Sequence, residues 1–127
     1  ALFDFLLHLD YDPNNPGEVM DVAEKVWNQV SVVPHASYDR YPLSFSHIFG
    51  SGYDAGYFSY LWAEVLSCAV YERMKANAIF DPVEGERFVH SILSRGGEEK
   101  MLVMVQDFLG AKPTIDSMLR SEGIVKS

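Results

Sequence analysis

Between residues 18 and 30 the apolar positions Val19, Val22, Ala23, Val26, Trp27 and Val30 recur at three- and four-residue spacing. That is the period of a helix with one buried face. Pro16-Gly17 ahead of it and Pro34 beyond it mark its limits. The longest pattern of this kind runs from about Gly56 to Ala76, where Phe58, Leu61, Trp62, Val65, Leu66 and Ala69 form a broad apolar stripe. Shorter helices are predicted at 82–94, with Pro82 in the first turn and Phe88, Val89, Ile92 and Leu93 inward, and at 98–109, through Met101, Leu102, Val105, Phe108 and Leu109. Gly96-Gly97 divides these two. A last short helix follows Pro113, carries Ile115, Met118 and Leu119, and stops before Gly123. Residues 1–9 also read as helical.

No segment alternates apolar and polar residues for long, and no internal repeat is visible, so the pattern predicts an all-α fold of about five to six helices. One long irregular connection, Ser31 to Ala55, interrupts it. Structureless segments beyond about 12–15 residues are uncommon in compact domains and usually carry function, which directs attention to 34–55. With 127 residues, 48% apolar and 22% charged, the chain suits one globular domain with a core of its own. It is lean for an enzyme with two substrate-cradling lobes. The opening Ala1-Leu-Phe-Asp-Phe-Leu-Leu reads as an element already under way, so the expectation is a piece of a longer chain.

Ten Lys and Arg against eighteen Asp and Glu give a net charge of −8, which leaves no electrostatic basis for gripping nucleic acid or an anionic membrane. No apolar run approaches the roughly 18 residues of a membrane span, and no basic region precedes the first apolar stretch, so neither a span nor a signal peptide is expected. Cys68, the single cysteine, can close no disulfide within the chain. A reducing compartment follows: cytoplasmic by expectation, with a mitochondrial matrix as the other choice.

Six of the seven tyrosines fall between positions 38 and 71, in a stretch that also holds Phe45, His47, Phe49, Phe58 and Trp62, and no Lys or Arg lies between Arg40 and Arg73. The loop Gly50-Ser-Gly52-Tyr53-Asp-Ala-Gly56 has backbone freedom for positive φ and for close approach of a ligand's main chain. Were the long helix to begin near Gly56, Tyr57, Tyr60 and Glu64 would share one side of it, beside the apolar stripe, and Tyr53 would join them only if the helix reached back that far. A phenol is apolar along its ring and a donor at its tip, so such a row suits a groove wall that packs on a substrate and donates to its oxygens. His47 could donate too. Aromatic residues at helical spacing are most often core or interface, so taken by themselves these residues read first as structural. His8, His35 and His90 read as structural or exposed, since none has a second ligand at metal-binding spacing, and no metal site is expected from this chain alone. Gly50-x-Gly52 lacks the strand and final glycine of a dinucleotide loop, and no Gly-x-Ser-x-Gly elbow occurs.

The run Phe45-Ser-His-Ile-Phe-Gly-Ser-Gly-Tyr-Asp-Ala-Gly-Tyr-Phe-Ser-Tyr-Leu-Trp-Ala-Glu-Val65 resembles the C-terminal region of the thimet oligopeptidase family of zinc metallopeptidases, which includes oligopeptidase A and the dipeptidyl carboxypeptidases. Ile79-Phe-Asp-Pro-Val-Glu-Gly-Glu-Arg-Phe88, Ile92-Leu-Ser-Arg-Gly-Gly97 and Phe108-Leu-Gly-Ala-Lys-Pro113 are similar to that family's later segments, and Leu2-Phe-Asp-Phe-Leu-Leu-His8 fits ahead of the loop. The resemblance covers essentially the whole chain.

It implies that residues 1–127 form a single C-terminal helical lobe, with the Gly/Tyr-rich loop before the longest helix, of an enzyme that hydrolyses short peptides in a channel between two lobes. Zinc and its His-Glu-x-x-His helix, with the general base, would lie upstream of Ala1, leaving this stretch inactive alone. By the same resemblance His47, Tyr53, Gly50, Gly52 and Gly56 contact substrate, and Tyr57 and Tyr60 face the catalytic centre. Tyr60 is the foremost candidate for the donor to the oxyanion. Phe58 stands where the family commonly has Tyr, which removes one hydroxyl. Against this stands a different class, a helical protein-interaction module without chemistry. Either way, a lobe parted from its covering faces is expected to self-associate.

Overall fold

The computed structural model describes residues 1–15 and 17–126, and among them the regular structure is all helical, with no strand. The all-α expectation is met. Pro16, one of the predicted helix boundaries, lies outside the described residues. By its internal contacts the chain divides into two compact units, Ala1–Ser59 and Tyr60–Ser127.

The first unit is built on α1 (Leu2–Asp10) and α2 (Glu18–Val30), which pack on each other. Leu7 of α1 and Ala23 and Val26 of α2 are buried between them, as the spacing of apolar positions requires. The long connection is less irregular than its sequence suggests. It contains two single-turn helices, α3 (Tyr41–Ser44) and α4 (His47–Gly50), each too short to register as a periodic pattern. Each plants one residue in the interior, Pro42 from α3 and Ile48 from α4. The loop is thereby tied down just ahead of its glycines.

The second unit is organised by α5 (Ser59–Ala76), the longest helix. Its core joins Leu66 of α5 to Ile92, Met104, Val105 and Phe108. The last three lie on α7 (Met101–Leu109), which ends at Gly110, whose φ of +74° is the left-handed cap that glycine adopts without strain. The helix predicted over 82–94 begins as α6 (Pro82–Phe88), with Asp81 capping it by accepting from Val83 N (2.7 Å) and Glu84 N (3.2 Å). It then loosens to π geometry over Val89–Leu93, where the Ser94 N–H reaches back five residues to Val89 O at 2.8 Å. A final helix, α8 (Asp116–Ser121), is tied to α5 by Arg120 and Ser117, both donating to Glu72.

The predicted stripe of α5 is buried only in its later turns. Leu66 and Ala69 are covered, whereas Leu61 and Trp62 are more than half exposed. The partners that bury this helix, Ile92 and the inner residues of α7, gather at Leu66 and, more loosely, Val70 and Met74, beyond the first turn. Among the described residues no helix is long and apolar enough to cross a membrane.

Candidate active site

α4 presents His47 at its first position, and the chain then turns through Gly50-Ser-Gly52 to Tyr53. Only one of the three predicted glycines needs to be glycine for its backbone: Gly52 has φ +77°, and nothing lies within 4 Å of where a Cβ would sit. Gly50 is likewise surrounded by open space, while a Cβ on Gly56 would meet Tyr53 O at 3.6 Å, an ordinary contact. The other left-handed residue of the loop is not a glycine. Ala55 has φ +54°, a conformation that an alanine holds only when its surroundings impose it.

Those surroundings are the side chain of Asp4. This carboxylate is fully buried, and it accepts the Ala55 N–H at 2.8 Å on one oxygen and the Tyr57 N–H at 3.0 Å on the other. The His8 Nδ1 lies 2.9 Å from the first of these oxygens. The Tyr57 amide goes to Asp4, Gly56 N closes a turn on Tyr53 O at 2.9 Å, and α5 starts at Ser59. Tyr57 therefore stands in the turn before the helix, off the face it was expected to share with Tyr60 and Glu64, and Tyr53 lies further back still.

What gathers instead is an aromatic cluster within the first unit. The His47 ring centre lies 5.8 Å from Tyr57, edge to face, and 6.1 Å from Tyr53. Phe45 meets Tyr57 edge-on at 4.8 Å and His47 at 5.7 Å, and Tyr41 stacks on Phe45 at 5.2 Å. Such offset and edge contacts suit the ring quadrupoles. Burial pushes the Tyr41 phenol above its ordinary pKa, with the charge of Tyr57 adding to the effect. His47 is exposed, and Tyr53 and Tyr57 are half-buried. Tyr60 belongs to the second unit, in the first turn of α5, with 47% of its surface exposed.

Asp4 is the participant that sequence patterning missed. Its only signal was an acid set among apolar residues in Ala1-Leu-Phe-Asp-Phe-Leu-Leu. His35, read as structural or exposed, joins a second network, with Ser31 Oγ 3.1 Å from its Nε2, Asp39 Oδ2 3.0 Å from its Nδ1, and Trp27 stacked on its ring at 4.0 Å. The bond to His35, then the Tyr41 N–H, holds the Asp39 carboxyl below its usual range. A cavity of about 480 Å³ adjoins these residues. Among the described residues no three His, Cys, Asp or Glu side chains come together to hold a metal ion.

Residues 1–124 match the sequence pattern of Peptidase family M3. The chain belongs to that family. It is 44% identical over 125 residues to "Oligopeptidase A" of Haemophilus influenzae, a match covering 98% of this chain and 18% of that protein. To "Oligopeptidase A" of Escherichia coli it is 42% identical over 124 residues, with the same coverage of 98% and 18%. A "Dipeptidyl carboxypeptidase" of Salmonella typhimurium is 37% identical over 86 residues, 67% of this chain and 13% of that protein. The chain thus spans 18% of the length of its oligopeptidase A relatives. Membership in family M3 agrees with the resemblance carried by Phe45–Val65 and the segments downstream.

Proposed function

We propose that this chain is the C-terminal helical part of a zinc-dependent oligopeptidase or peptidyl-dipeptidase, cytoplasmic in location, and that it lines the peptide-binding side of the catalytic centre. The observation that carries this reading is the cluster of His47, Tyr53 and Tyr57 around a glycine loop, in a chain that matches Peptidase family M3 over residues 1–124. Hydrolysis of a peptide bond passes through a tetrahedral species whose former carbonyl oxygen gathers negative charge. A donor already aimed at that oxygen stabilises it more than it stabilises the substrate, and one well-placed donor contributes roughly 2.7–4 kcal/mol.

Tyr60 is that donor in this reading, with Tyr57 and His47 assisting. Tyr53 and the open backbone at Gly50, Gly52 and Gly56 hold the substrate's main chain, which approaches most closely where no side chain stands in the way. The zinc ligands and general base belong to residues outside these 127, and the chain alone is inactive.

The test is hydrolysis of short peptides by the whole protein that carries this sequence. Activity should disappear with a chelator and return with zinc, and the 127-residue chain by itself should give none. Full activity after chelation, or hydrolysis by the isolated chain, would contradict the proposal.

A further inference from the structure

We infer that Asp4 is a positioning residue for the substrate-binding loop: its buried carboxylate fixes the backbone on both sides of Gly56 and so aims Tyr57, and with it the Tyr53–His47 pair. The inference rests on the peptidase reading above and deepens it. Asp4 is fully buried, its two oxygens accept from Ala55 N at 2.8 Å and Tyr57 N at 3.0 Å, and neither contact is local, since the partners lie 51 and 53 residues away. A buried carboxylate is costly unless hydrogen-bonded, and this one receives two amides, with the His8 ring at 2.9 Å. The amides are chosen tellingly. One belongs to Ala55, whose left-handed φ of +54° needs an outside restraint, and the other to the residue whose ring packs on His47 and Phe45.

Phe5, next to Asp4, stacks on Phe58, next to Tyr57, at 5.4 Å, so the loop is also held by a hydrophobic contact that Asp4 does not supply. Removing the carboxylate's acceptors should therefore misaim the loop without releasing it. Asp4→Asn makes that change at nearly constant shape. One acceptor oxygen becomes an NH₂ group, which faces a backbone N–H instead of receiving it.

In the whole zinc-loaded protein, Asp4→Asn should lower kcat on short peptides by roughly ten- to a hundredfold with KM moved by less than about threefold, zinc content unchanged. Combined with Tyr57→Phe it should cost little more than the larger single change, because both act through the placement of one phenol hydroxyl; a merely structural role would give the product of the two. Independently of any variant, hydrogen exchange on the unaltered protein should show the Ala55 and Tyr57 amides protected relative to Ser51 and Gly52. Unchanged kcat in Asp4→Asn, multiplicative effects, or unprotected amides would overturn the inference. If Tyr57→Phe and Tyr60→Phe are both without effect, the donor roles proposed for these tyrosines fail and take this inference with them. If they lower kcat while Asp4→Asn does not, only the role of Asp4 fails.

Discussion

At the scale of single residues, what could be read in advance depended on whether a side chain's role was local. His47, Tyr53 and Tyr57 stood out because aromatic density and glycine content are properties of one short stretch, and the structure brings these three together. Asp4 did not stand out, because a carboxylate in an apolar run says nothing about which amides it will meet 51 and 53 positions later. Ala55 was missed for the same reason, since an alanine carries no mark of a left-handed backbone that a distant partner imposes. In the core, Phe108 was assigned correctly from spacing alone. It is fully buried, meets Phe88 edge-on at 5.6 Å, and has the Arg73 guanidinium 5.3 Å from its ring centre. Phe108→Ala should destabilise the chain by about 3–5 kcal/mol in denaturant unfolding, because the surrounding side chains refill such a cavity only in part. A loss below about 1 kcal/mol would mean that Phe108 is not a core anchor.

At the scale of elements, helices of two turns or more were legible, and their ends only in part. The predicted helix at 18–30 is found as Glu18–Val30, whereas the one expected from Gly56 begins at Ser59, after a turn in which the Tyr57 amide is held by Asp4. Single-turn α3 and α4 left no periodic trace, and the π stretch Val89–Leu93 has the apolar spacing of an ordinary helix. The start of α6 follows from Asp81-Pro82, and Asp81→Ala should cost about 1 kcal/mol in thermal or denaturant melts by leaving two first-turn amides without their cap. The α5–α8 contact gives a pH signature. The Arg120 guanidinium, then the Ser117 hydroxyl, hold the Glu72 carboxyl down to about 2 from an ordinary 4.5. A carboxyl with a depressed folded pKa adds stability above its unfolded value, so the contribution is complete above about pH 4.5 and fades as pH falls toward 2. Glu72 is about half exposed, which keeps the effect small. The melting temperature of Glu72→Gln should lie a few degrees below that of the unaltered chain at pH 7, with the gap closing across that acid window. A gap independent of pH would remove the ion pair as its cause.

At the scale of the whole molecule, a chain spanning 18% of its oligopeptidase A relatives carries apolar surface that its own folding leaves uncovered, with Phe49 at 51%, Leu61 at 52% and Trp62 at 56% exposure. Patches of that kind associate in water. The 127-residue chain should therefore sediment as dimers or larger species at high protein concentration, and a strictly monomeric chain would contradict that expectation. We propose that the chain lines the catalytic centre of the whole protein, and the central claim is that it supplies a donor to the reaction. The most direct test is kcat of the whole, zinc-loaded protein with Tyr60→Phe, a change that removes one hydroxyl and leaves the ring. The account predicts a fall of about a hundredfold or more in kcat with zinc retained; an unchanged kcat would contradict it.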